Sequence, residues 1–138
     1  MLTQLAEYLQ AKGLGTYDDE GVTGNIFIAR LPASPDNIIS IYPTGGGQPD
    51  MKLGYDTPTI QIIIRAGNPV VAYNNAQAIY NELHGITNLW LTSEEDVWVV
   101  SCQGIQSSPV FIGEDKSKRD EFSINFQFEI RNQNTNRE

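Results

Sequence analysis

One histidine and one cysteine are all that this 138-residue chain offers of the side chains most used as nucleophiles, proton shuttles and soft metal ligands. His84 and Cys102 cannot close a tetrahedral zinc site between them, and a reactive Cys102 thiolate would need a partner that only His84 could be. Position explains both more simply. Cys102 falls in an apolar strand-like run and reads as a small buried residue. His84 falls in the last turn of an amphipathic stretch, where its cationic form suits the helix dipole. A lone cysteine also forms no internal disulfide. Asp18-Asp19-Glu20 is not followed by calcium-loop spacing and reads as a solvated turn. Glu94 and Glu95 lie in a turn where nothing would raise a carboxyl pKa. Gly45-Gly46-Gly47 invites a phosphate cradle, but Gln48-Pro49-Asp50 follows instead of Gly-Lys-Ser/Thr and a helix. Gly45, Gly46, Gly47 and Gln48 therefore read as part of a projecting arm. There is no Gly-x-Ser-x-Gly nucleophile motif. No cofactor, metal or catalytic set is implied, and the chain reads as a non-enzyme.

Charge narrows the partners. The formal net charge is −8, which opposes affinity for a nucleic-acid backbone or an anionic lipid surface. The strands carry aromatic residues but no basic groove of the kind that single-strand binders use. The plain reading of the charge is solubility; the sharper one is a surface that passing DNA does not stick to. No apolar run approaches the roughly 18 residues of a membrane span, and Met1-Leu2-Thr3-Gln4 lacks the basic start and apolar run of a secretory leader. Length and a hydrophobic fraction of 40% fit one globular domain over residues 1–138, ending in a frayed polar tail at 132–138.

The elements that position these residues follow from periodicity. Leu2, Leu5, Ala6 and Leu9 form one stripe of a helix over 2–12, stopped by Gly13, with Leu14 folding back on Leu9. Asn25–Leu31 and Ile38–Tyr42 read as strands paired in a hairpin around Pro32 and Pro35. Pro43–Pro58 reads as a long loop. Thr59–Ala66 is a strand with Ile60, Ile62 and Ile64 on one face, and Arg65 reads as an exposed edge charge by default, with an interface residue as the alternative. Asn68-Pro69 caps and opens a second helix that runs to about His84, with Ala72, Ala76, Ile79, Tyr80 and Leu83 as its buried stripe. Thr87–Leu91 and Val97–Ile105 are strands, the latter with Val97 and Val99 on one side and Trp98, Val100 and Cys102 on the other. After a charged loop comes the most regular signal in the chain. Phe122, Ile124, Phe126, Phe128 and Ile130 alternate with Ser123, Asn125, Gln127, Glu129 and Arg131, one apolar face and one wet face. The fold class is α+β: a mainly antiparallel or mixed sheet of about five to six strands, with two helices packed on its apolar face.

Four phrases in this order carry a resemblance. They are Leu31-Pro32…Pro35-Asp36…Ile41-Tyr42…Gly46-Gly47, then Pro58-Thr59-Ile60-Gln61-Ile62…Arg65, then Ala72…Ala76-Gln77-Ala78-Ile79-Tyr80…Leu83-His84-Gly85. The last is Pro109…Ile112-Gly113-Glu114-Asp115…Arg119…Phe122-Ser123-Ile124-Asn125-Phe126. Over residues 2–131 the chain resembles the minor capsid and tail-terminator (tail-completion) proteins of long-tailed phages and prophages. The resemblance implies a structural protein of the virion at the tail–neck junction, present in the host cytoplasm during assembly. It implies a homo-oligomer, commonly a hexameric ring, that caps the head-proximal end of the tail tube, stops its growth and docks to the head connector. The implied partners are the tail-tube protein and the head–tail connector protein, with DNA only as passing cargo through a central hole and no membrane. A ring needs free edges and loops that order on assembly. Pro43–Pro58 and Pro109–Glu121 are the candidates, through Gly45, Gly46, Gly47, Gln48, Asp115, Lys116, Lys118 and Arg119. Two other readings stand beside this one: a head-closure or connector adaptor, and a small host-encoded module using the Trp90/Trp98 region as a ligand surface.

Overall fold

A computed structural model of the chain describes residues 1–21 and 23–137. In chain order the elements are helix α1 (Leu2–Ala11), strands β1 (Ile26–Ile28), β2 (Ile38–Gly46), β3 (Tyr55–Asp56) and β4 (Pro58–Ala66), helix α2 (Pro69–Leu83), and strands β5 (Thr87–Trp90), β6 (Trp98–Gly104), β7 (Val110–Glu114) and β8 (Asp120–Arg131). The eight strands form one mixed sheet in the order β1-β2-β4-β8-β6-β5. At its centre is β8: β4 and β3 pair along one edge of it, β6 and β7 along the other. The α+β class and the two helices are as expected; the sheet has eight strands, more than the five or six read from the sequence.

The alternation in β8 does what its period requires. Phe126 sits opposite Ile60, Ile124 opposite Ile62 and Phe122 opposite Ile64, and Ile39 and Ile41 continue the row on β2. This face meets both helices in one buried cluster that includes Leu5, Leu9, Ala72, Ala76, Ile79 and Leu83. Each large apolar side chain buried in this way contributes roughly 1.5–3 kcal/mol. The helix ends are set locally. Gly13 has φ +76°, and the Leu14 amide donates to the Leu9 carbonyl at 3.0 Å. The Asn68 side chain accepts from the Val71 amide at 2.9 Å, with Pro69 in the first turn.

Several local readings are corrected by the pairing. β1 and β2 are parallel, with Ile26 opposite Ile39 and Ile28 opposite Ile41, and do not form a hairpin. A strand of only three residues spans about 10 Å, so residues 29–37 suffice to carry the chain back to the start of β2 without a crossover helix. The first part of the presumed loop at 43–58 is sheet: β2 continues to Gly46, which lies opposite Pro58 beyond a bulge. Gly46 has φ +122°, and a Cβ there would collide with the Thr57 carbonyl, so only glycine fits this close approach. Val110–Glu114, read as loop, is β7. In β6 a bulge between Val99 and Ser101 inserts one extra residue, so Val99 and Cys102 share the core face that strict alternation would have split.

His84 is the exposed C-cap of α2, as its place in the sequence suggests. Its Nδ1 accepts the Gly104 amide at 2.9 Å, and its ring stacks on Tyr80 with centroids 5.3 Å apart. Through this contact the residue joins α2 to β6.

Candidate assembly surface

The charged hairpin tip between β7 and β8 is shaped by Asp115. Its Oδ1 accepts the amides of Ser117 at 3.0 Å and Arg119 at 2.8 Å, and its Oδ2 accepts Arg119 Nε at 2.7 Å. An aspartate that gathers its own loop's amides is a common turn device. The bond from the Arg119 amide, reinforced by its guanidinium, holds the Asp115 carboxyl below the usual carboxylate range. Arg119 then reaches across to a second segment, donating from Nη1 to the Ala33 carbonyl and to Asp36 Oδ1, the latter at 3.3 Å. Lys116 and Lys118 are left exposed at the tip, and neither ammonium makes an ion pair among the described residues.

Arg65 belongs to the same network. The sequence reads it as an exposed edge charge, yet its side chain is 2% exposed, because β4 is an interior strand and residues 33–36 lie over its end. Nε donates to the Asp36 carbonyl at 3.3 Å and Nη2 to the Pro35 carbonyl at 2.8 Å, while Nη1 lies 3.9 Å from Asp115 Oδ2. Glu121 sits opposite Arg65 on β8. Its Oε2 is buried without a hydrogen-bond partner among the described residues. Burial, and then the Asp115 charge, push its carboxyl above the ordinary value, against the pull of Arg65 and Arg119. Arg65 and Arg119, with Asp36 and Asp115, thus fasten the 33–36 segment, the end of β4 and the hairpin tip to one another. Nothing in the local sequence marks Arg65 for this role; the nearest signal is a cation in an otherwise β-branched run.

The arm is built differently. Gly45 and Gly46 lie within the exposed end of β2, Gly47 donates its amide to the Thr57 carbonyl at 3.2 Å, and Gln48 follows outside the sheet. Beyond it, Met51 is 81% and Leu53 68% exposed. The polar tail, read as frayed, is tied to this arm. Arg137 Nη2 donates to Asp56 Oδ1 at 2.6 Å and to the Asp50 carbonyl at 2.8 Å, and Lys52 Nζ donates to the Asn136 carbonyl at 2.9 Å. The Arg137 bond, followed by that of Asn132, lowers the Asp56 pKa. Glu138 lies outside the described residues. The predicted interface residues thus separate into an arm at the β3 end of β8 and a tip at its β7 end, and the structure does not bring them together.

Beside the tip runs an apolar strip: Val110, Phe111 and Ile112 of β7 are all exposed, with Phe111 stacked edge-on to Phe122 at 5.3 Å. The sequence missed this strip because Pro109 and Gly113 flank it with loop signals. Trp90 and Trp98, 5.0 Å apart, line an open cleft of about 500 Å³ with Arg131, Glu95 and Asp96. Cys102 is buried, and burial pushes its thiol up to about 12, far from a reactive thiolate. Among the described residues no three His, Cys, Asp or Glu side chains are grouped to hold a metal ion, and no helix is long and apolar enough to cross a membrane.

An arrangement of an ion-locked hairpin tip, a bare apolar strand and a clipped arm can dock proteins; it has no converging reactive groups. No curated protein matches the chain. A family model described as bacteriophage tail terminator protein matches residues 8–132, from α1 to just past the end of β8. The chain belongs to the bacteriophage tail terminator family, a family of structural proteins of the phage particle.

Proposed function

We propose that this chain closes the head-proximal end of the phage tail tube as a homo-oligomeric ring, ends tube growth there and joins the tube to the head connector. The observation that carries this reading is the family match across residues 8–132, which takes in all eight strands. The surface supports it. A subunit that stays apart has little use for an exposed apolar edge strand, which invites uncontrolled pairing. A net charge of −8 suits walls past which DNA must slide. Lys116 and Lys118 present the hairpin tip, Asp115 and Arg119 hold its shape, and Gly45–Gln48 form the base of an arm that meets a neighbour or the tube. The test is polymerisation of the phage's tail-tube subunits with and without the purified protein, viewed by electron microscopy. The expected result is arrested elongation with added density at one tube end. Tubes that lengthen as fast in its presence, or protein decorating their sides, would overturn the reading.

A further inference from the structure

The two outer flanks of the sheet differ in charge and in cover. On the β1 flank the chain protects its own edge: Tyr17 bridges to Ile26, and residues 17–21 run beside β1, leaving a narrow groove of about 110 Å³. Asp19 and Glu20 are exposed there next to Asp18, and among the described residues that line the groove Arg30 is the cation. On the opposite flank, at the far side of β8, β7 has no second strand partner among the described residues. It shows Val110, Phe111 and Ile112 to solvent, and the unpaired Lys116 and Lys118 stand directly after it. One flank is acidic and grooved; the other is apolar and ends in two lysines, with Glu114 as the exposed acid on the strand itself.

We infer that the β7 flank of one copy docks against the β1 flank of a second copy, with Lys116 and Lys118 facing the neighbour's Asp19 and Glu20. Val110–Ile112 then lie along the groove between Tyr17 and Ile28. This rests on the ring reading above and names its interface. A contact of like flanks that brings the two tips together is disfavoured by charge, since it sets lysines on lysines or acids on acids. The head-to-tail contact matches both flanks, and such a contact closes into a ring when its rotation permits. The apolar strip supplies the buried area, and the charges choose orientation and partner.

Light scattering on fractionated protein at low salt tests this with two charge-reversed variants, Lys116→Glu/Lys118→Glu and Asp19→Lys/Glu20→Lys. All four positions are exposed, so circular dichroism should match wild type. Wild type is expected to associate with rising concentration. Each variant alone, now with like-charged flanks, should need at least about tenfold more protein to associate. Their equimolar mixture should recover wild-type association, because every acidic flank again meets a basic one. Ile112→Asn, which disrupts the strip and leaves every charge unchanged, should stay monomeric. Variants that associate like wild type, or a mixture as dissociated as its components, would overturn this interface and leave a ring built through other surfaces. Wild type that stays monomeric both alone and with tail-tube protein would overturn the ring as well.

Discussion

The two faces of the sheet are buried by different means. On the helix face Phe122, Ile124 and Phe126 meet Ile64, Ile62 and Ile60, and two amphipathic helices cover them. Removal of apolar area from water is the cause, and one hydrophobe there is nearly as good as another of similar volume. On the other face Ser40, Arg65 and Ser123 are equally hidden, but each is held by a directed bond. Ser40 donates to the Arg30 carbonyl, Arg65 to the carbonyls of Pro35 and Asp36, and Gln61 to Ser123 Oγ at 3.0 Å. The helix face would tolerate repacking. The other face has few alternatives, because a buried donor that loses its acceptor keeps the whole cost of desolvation.

The sharpest way to break this comparison is a charge on the helix face. Phe126 is fully buried between the sheet and Tyr80, whose ring is 5.7 Å away. Phe126→Asp both removes a large hydrophobe and buries an unpaired carboxylate, at a cost above roughly 4 kcal/mol. Loss of a cooperative thermal transition is expected; a melting curve near wild type would mean that the helices do not seal this face. Next in size is Arg65→Ala. It removes the donors to Pro35 and Asp36 and should cost about 3 kcal/mol, with faster amide exchange confined first to residues 29–37. A loss well below 1 kcal/mol would show that the 29–37 segment is held by something other than these bonds.

The smallest effect concerns pH. The Glu121 carboxyl is raised by burial and by Asp115, so the folded state favours its protonated form. Its contribution to stability is present below the ordinary carboxyl value of 4.5 and is lost as pH rises through the higher folded value. Glu121→Gln should therefore melt slightly above wild type at neutral pH, with the difference vanishing toward acid. A variant that melts lower at neutral pH would show that attraction to Arg65 outweighs burial.

Much of the apolar architecture was readable in advance. The alternation over 122–131, the Ile60/Ile62/Ile64 row, the stripe of α1 and the Asn68-Pro69 start of α2 are all local patterns, and local patterns survive folding when a cover is available. The candidate site was legible only in part. Asp115 and Arg119 stand out as a charged turn, but the same turn hides that both are spent on internal bonds while Lys116 and Lys118 remain free. The parallel pairing of β1, the strand at Val110–Glu114 and the grip of Arg137 on the arm left no local trace, since each depends on what lies opposite.

By itself the sequence determined which faces are apolar and where the helices begin and end, because periodicity and capping act through near neighbours along the chain. Tertiary structure alone decided the strand order, the burial of Arg65 and the difference between a covered and a bare sheet edge. Those outcomes turn on partners brought together from separate stretches of the chain, as Arg65 and Pro35 are, and a directed bond cannot be assigned until both of its ends are in place.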